Sequence, residues 1–130
     1  MSVQRVEAMI EKVERIAWLL DFYGGLLTDK QQHCMDLHYN QDMSLGEIAA
    51  QFNVSRQAVH DLLRRSEGLL VEYEERLKLF DRFQQNRDQL SSILEYTKTL
   101  QQKVNTAAGA EISDELTTIC SMLEQLIDQQ

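Results

Sequence analysis

The chain has no proline and only five glycines in 130 residues. Without the residues that most often break regular backbone, long helices are the natural expectation, and turn-rich β folds are disfavoured. The two cysteines, Cys34 and Cys120, stand far apart and offer no disulfide framework, which fits reduced, buried thiols. No apolar run approaches the roughly 20 residues of a membrane span. The opening MSVQRVEAMIEK lacks the apolar block of a secretory signal, so the expected location is the cytoplasm. Positive charge is scarce as well. Thirteen Lys and Arg against 21 Asp and Glu give a net charge of −8, an awkward balance for a protein that would hold phosphate.

Catalytic constellations are missing too. There is no glycine-rich phosphate loop, no HExxH, no paired CxxC and no nucleophile elbow, so no enzymatic activity and no cofactor are expected. His33, Cys34 and His38 are the one cluster with metal-ligand chemistry. On a helix, however, 33 and 34 diverge by about 100° and 38 returns near 34, which does not close a tetrahedral site. Structural roles are expected for all three.

What is there is concentrated in Ser44–Leu70, SLGEIAAQFNVSRQAVHDLLRRSEGLL. Ser44 followed by Glu47 predicts a capping box, and Leu45, Ile48, Ala49 and Phe52 share one face of a short helix. Asn53 stands where the chain must turn, and asparagine tolerates left-handed backbone. Val54 is expected to plug the turn from below, and Ser55 to cap a second helix starting at Arg56. Ala58, Val59, Leu62 and Leu63 form its inward face. Arg56, Gln57, His60 and Arg64 point outward, with Ser55 beside them. This is the layout of a helix-turn-helix whose second helix enters a major groove. Arg56 and Gln57 then read bases, while Ser55, His60, Arg64 and Arg65 hold phosphates.

The flanking sequence is helical by its periodicity. Val6, Ile10, Val13, Ile16, Ala17 and Leu20 make one stripe of a helix over 3–23 that packs on the core, with Gly24-Gly25 ending it in a left-handed cap. Thr28 caps a helix to about Tyr39 with Cys34, Met35 and Leu37 inward. Beyond Leu70 a stripe runs through Tyr73, Leu77, Phe80 and Phe83, with Glu72, Glu74 and Glu75 on the wet side. A break is expected near Asn86-Arg87-Asp88, then a helix over 89–105, a small-residue linker over 107–110, and a last helix from Ser113-Asp114. Four segments follow: an N-terminal amphipathic helix (1–27), the helix-turn-helix unit (28–70), a helical arm (71–106), and a linker with a terminal acidic helix (107–130). The acidity is uneven. Three bases meet four acids over 1–27, four meet six over 28–70, and six meet eleven over 71–130. The arm is therefore too acidic to be a nucleic-acid surface. Its stripes suit an internal bundle with a shared dimer contact.

The succession LTDKQQ, LHYNQDMSLGEIA and VSRQAVHDLLRR resembles sigma factor region 4, the domain that reads the −35 promoter element. Over residues 3–100 the chain is more similar to the YlxM family, small bacterial proteins with a sigma-region-4-like helix-turn-helix. That resemblance implies an all-α protein: a trihelical helix-turn-helix unit with an N-terminal helix and a C-terminal helical arm. It also implies a DNA-binding regulator linked to the signal recognition particle pathway, with Arg56, Gln57 and His60 facing DNA. No segment matches the promoter-melting region of a sigma factor, so a complete sigma activity is not expected. The partners expected are nucleic acid (DNA or RNA), signal recognition particle components, and a second copy in a homodimer. The alternative is an accessory protein that binds the particle's RNA or GTPase without binding duplex DNA.

Overall fold

A computed structural model of the chain describes residues 2–104 and 110–128, with the backbone alone at 110 and 111. Ala107, Ala108 and Gly109 of the expected linker lie outside the described residues. The protein is all-α: α1 (Val3–Tyr23), a single 3-10 turn (Gly24–Leu26), α2 (Asp29–Tyr39), α3 (Leu45–Phe52), α4 (Arg56–Leu77), α5 (Leu79–Val104) and α6 (Ala110–Asp128). It divides into two units, Met1–Phe80 and Asp81–Gln130. None of the described helices is long and apolar enough to cross a membrane.

The helix starts follow local chemistry. Thr28 and Gln31 form a complete capping box: the Gln31 amide donates to the Thr28 hydroxyl at 3.2 Å and the Thr28 amide to the Gln31 side chain at 3.0 Å. Ser44 is half of one. Its hydroxyl accepts from the Glu47 amide, but it also donates to the Glu47 carboxylate at 3.1 Å, so the reciprocal bond expected from Glu47 is not made. Neither Gly24 nor Gly25 is left-handed as expected, and the φ of Gly24 is −55°. A Cβ there would lie 3.3 Å from Cδ1 of Leu20, so closeness to α1, not torsional freedom, suits glycine.

The core of the first unit is built from Ile16, Leu19, Leu20 and Tyr23 of α1, Cys34, Met35 and Leu37 of α2, Ile48 and Ala49 of α3, and Val59, Leu63 and Leu70 of α4. Only the second half of α1 takes part. Val6, Ile10 and Val13 belong to the same stripe but are about half exposed. On α4 the buried line is Val59, Leu63, Ser66, Leu70 and Glu74. Ala58 is exposed and Leu62 half-buried, so the inward face is turned slightly from the expected one.

Glu74 corrects the expectation of a solvated acidic run, because it is 5% exposed. Its carboxylate accepts from the Tyr23 hydroxyl at 2.6 Å and from the Phe80 amide at 3.1 Å, while the Leu79 amide donates to the Tyr23 oxygen at 3.1 Å. A buried carboxylate costs several kcal/mol unless its oxygens are paired in this way. The same bonds move the break expected at 86–88 to Lys78. That residue turns left-handed at φ 54°, and α5 then runs unbroken from Leu79. Phe80 is fixed by rings of α1, stacked on Trp18 at 5.8 Å and edge-on to Phe22 at 5.9 Å.

Candidate nucleic-acid interface

The turn between α3 and α4 explains how one end of α4 is presented. Asn53 takes φ 56°, ψ 47°, and the Val54 amide reaches back to the Ala49 carbonyl at 3.0 Å. This left-handed closure satisfies carbonyls that a helix end otherwise leaves without partners. Val54 does not plug the turn as expected; it is 38% exposed. Ser55 accepts from the Ala58 amide at 3.0 Å and so caps α4, while its hydroxyl hydrogen remains to be donated. Behind the turn, Ile48 and Ala49 of α3 and Val59 and Leu63 of α4 are buried. The helix is thereby held by its rear face, and its first two turns stand outward.

At helical spacing the outward residues form two neighbouring rows, Arg56–His60–Arg64 and Gln57–Asp61–Arg65. Arg56, Gln57, Arg64 and Arg65 are exposed and His60 is half-buried. All six residues singled out in the sequence, Ser55 included, thus stand on the one end of α4 that the turn presents. Arg56 leans toward α3: a Cβ added at Gly46 would lie 3.8 Å from its Nε. Asp61 sits among the cations. It accepts from the Gln57 amide group at 3.0 Å. Nδ1 of His60 is 3.6 Å from the same Asp61 oxygen, too long for a hydrogen bond, which leaves that buried nitrogen without a bonded partner. The three arginines of the face, Arg56, Arg64 and Arg65, still outnumber this one carboxylate, so the face keeps a net positive charge for phosphate.

Glu67 is withdrawn from the face. The Tyr39 hydroxyl donates to its carboxylate, tying α4 to α2. Burial, and then the hydrogen bond and charge of Glu67, push the Tyr39 hydroxyl well above the usual tyrosine range. The three suspected metal-ligand side chains are occupied otherwise. His33 stands edge-on to Phe52 at 5.4 Å, Nδ1 of His38 donates to the Met43 carbonyl at 3.1 Å, and Cys34 is fully buried, its thiol pushed up by desolvation.

One residue beside the face was not singled out by the sequence. Lys30 of α2 lines a shallow groove with Asp61, Leu62 and Arg65. Nothing in the local pattern around Lys30 signals this, because only the packing of α2 against α4 brings it there. The Gln57–Asp61 bond, by contrast, is an i,i+4 pair that helical spacing alone makes available.

Comparison with known proteins agrees with this architecture. Residues 10–110 match the family described as "Putative helix-turn-helix protein, YlxM / p13 like". YlxM of Bacillus subtilis (strain 168) is 40% identical over 117 residues, covering 90% of this chain and 97% of the relative. A relative from Exiguobacterium sp. is 44% identical over 117 residues with the same two coverages. One from Bacillus velezensis is 43% identical over 107 residues, or 82% of this chain and 97% of that protein. With a helix-turn-helix in the fold and a family match across most of its length, the chain belongs to the YlxM / p13-like helix-turn-helix family.

Proposed function

We propose that the protein is a non-enzymatic, cytoplasmic regulator that binds nucleic acid through the N-terminal end of α4. The observation that carries this reading is the presentation of Ser55, Arg56, Gln57, His60, Arg64 and Arg65 on one outward face behind a well-formed turn. Arg56 reads a base edge, where its fork can bond a guanine in two places. Gln57 does the same for adenine once it leaves Asp61. Ser55, His60, Arg64 and Arg65 hold phosphate oxygens and set the register. Titrating labelled duplexes by fluorescence anisotropy tests this directly. Arg56→Ala should cost about 1–3 kcal/mol on a selected site and much less on random sequence. Equal losses on both would make Arg56 a phosphate contact, and an absence of binding at low salt would sink the reading. The salt slope should correspond to only about three or four phosphates per chain, since each contributes about −0.9 to the slope on duplex DNA.

Two observations favour a second reading. Asp61 lies inside the face and engages Gln57, and the net charge is −8. Both tell against duplex DNA and suit an accessory protein whose acidic arm contacts a basic protein surface, while its trihelical unit meets signal recognition particle RNA or its GTPase. The link to that pathway rests on the family resemblance. A pull-down with purified particle components distinguishes the two. Enrichment of the RNA or the GTPase, with no anisotropy change on duplex DNA, decides for the accessory role.

A further inference from the structure

The second unit, Asp81–Gln130, is a helical pair whose interior is thin. Leu116, Cys120 and Leu123 are its only buried apolar side chains among the described residues, and each is still 7% to 9% exposed. They belong to a seam with 3-4 spacing on each helix. On α5 it runs through Leu90, Leu94, Thr97, Gln101 and Val104, all half-buried, and on α6 through positions 113, 116, 120, 123 and 127. Such spacing is that of two helices wound about each other. Two helices with so small an interior are marginal by themselves.

The two flanks of this seam differ. Lys98 lies 3.3 Å from Glu124, and the Gln101 side chain donates to Thr117 at 2.6 Å. Residues 98, 117 and 124 each follow a seam position by one, so that flank is polar. The exposed apolar residues each precede a seam position by one: Ile93, Tyr96 and Leu100 on α5, and Ile112, Ile119, Met122 and Leu126 on α6. In an antiparallel pair, positions that precede the seam on both helices fall on the same side. The seven therefore share one side of the pair, each between 44% and 81% exposed, and on α6 only Glu115 interrupts them, between Ile112 and Ile119. Three further positions precede the seam, Gln89, Lys103 and Glu115, and they bring one charge of each sign. The other acids of a unit holding eight of them lie elsewhere.

We infer that this face is where a second copy of the chain docks, the two hairpins closing into a four-helix bundle about a two-fold axis. Two size and charge arguments fix the occupant. Seven such side chains offer about 100 Å2 each, on the order of 700 Å2 per copy, near the roughly 800 Å2 per partner of a standard interface. A face carrying one cation and one anion presents no net charge to its own image, so the contact itself adds no local repulsion between two acidic chains, as suits an isologous interface. A bundle of this kind buries the second seam as the first is buried. The inference does not rest on the nucleic-acid reading.

Sedimentation velocity on the full chain, from 1 to several hundred micromolar, tests the docking. The expected mass is twice the 15.1 kDa of the chain. Ile119→Glu should raise the dimer dissociation constant at least tenfold while the helical circular dichroism is kept. Met122→Gln, which leaves the hairpin interior untouched, should weaken the dimer in the same direction and decides the matter if Ile119→Glu fails to fold. Ser121→Glu, on the polar flank, should leave the mass unchanged. A monomer at every concentration would overturn the inference. So would a dimer indifferent to Ile119→Glu and Met122→Gln but lost on Ile10→Glu, which would give the contact to the exposed half of α1.

Discussion

Asp61 and Glu67 both belong to α4, and the fold treats them oppositely. Glu67 is drawn back by Tyr39, whereas Asp61 stays in the outward face and takes the amide group of Gln57. The first arrangement has a consequence in alkali. Tyr39 and Tyr23 both have hydroxyls pushed up, chiefly by burial and then by their carboxylate partners. A folded-state value above the unfolded one gives stability that is fully present below about pH 10 and lost as pH rises through the folded value. The urea midpoint should therefore fall between pH 8 and pH 11, and Tyr39→Phe should flatten that fall. An identical fall in the variant would remove Tyr39 from the account. Asp36 acts in the opposite sense. Hydrogen bonds from Asn40 and Gln41 hold its carboxyl down, so its contribution is present above about pH 3.9 and lost as pH falls further.

Among the elements, Asn53 and Lys78 mark what can be read locally and what cannot. Both end a helix in the left-handed region. Asparagine at 53, followed by Val-Ser and a helical run, announces its turn. Lysine at 78 does not, and Asn86-Arg87-Asp88 is the better-looking turn by composition. The choice is made by Tyr23 and Glu74, which bond the first amides of α5, and the part played by Tyr23, more than 50 residues away, leaves no local trace. Lys78→Gly should raise stability by about 0.5–1 kcal/mol, because it removes the Cβ clash of a left-handed residue. A lower urea midpoint for that variant would mean that the lysine side chain contributes something glycine cannot. Periodicity has the same limit on α1. It assigns Val6, Ile10 and Val13 to one face but cannot say that the core ends at Ile16. The outward residues of α4 were legible because a cap, a turn and an inward stripe set their register within one short segment. Lys30 was not, being placed by packing alone.

For the molecule as a whole, charge is the dominant fact. Nine bases face thirteen acids over residues 1–80, and four face eight over 81–130, so neither unit is basic. Any hold on phosphate is therefore local to Ser55, His60, Arg64 and Arg65, with Lys30 beside them and little long-range attraction behind it. The joint between α4 and α5 is local in the opposite way. The first turn of a helix ordinarily frays, since its amides have no partner within the helix. Here the Leu79 and Phe80 amides are bonded by side chains of Tyr23 and Glu74, which are themselves buried in the core of the first unit. The start of α5 has thus lost its freedom to open separately. It should exchange its amide hydrogens with solvent only when the whole first unit comes apart, which makes this joint among the last places in the chain to loosen.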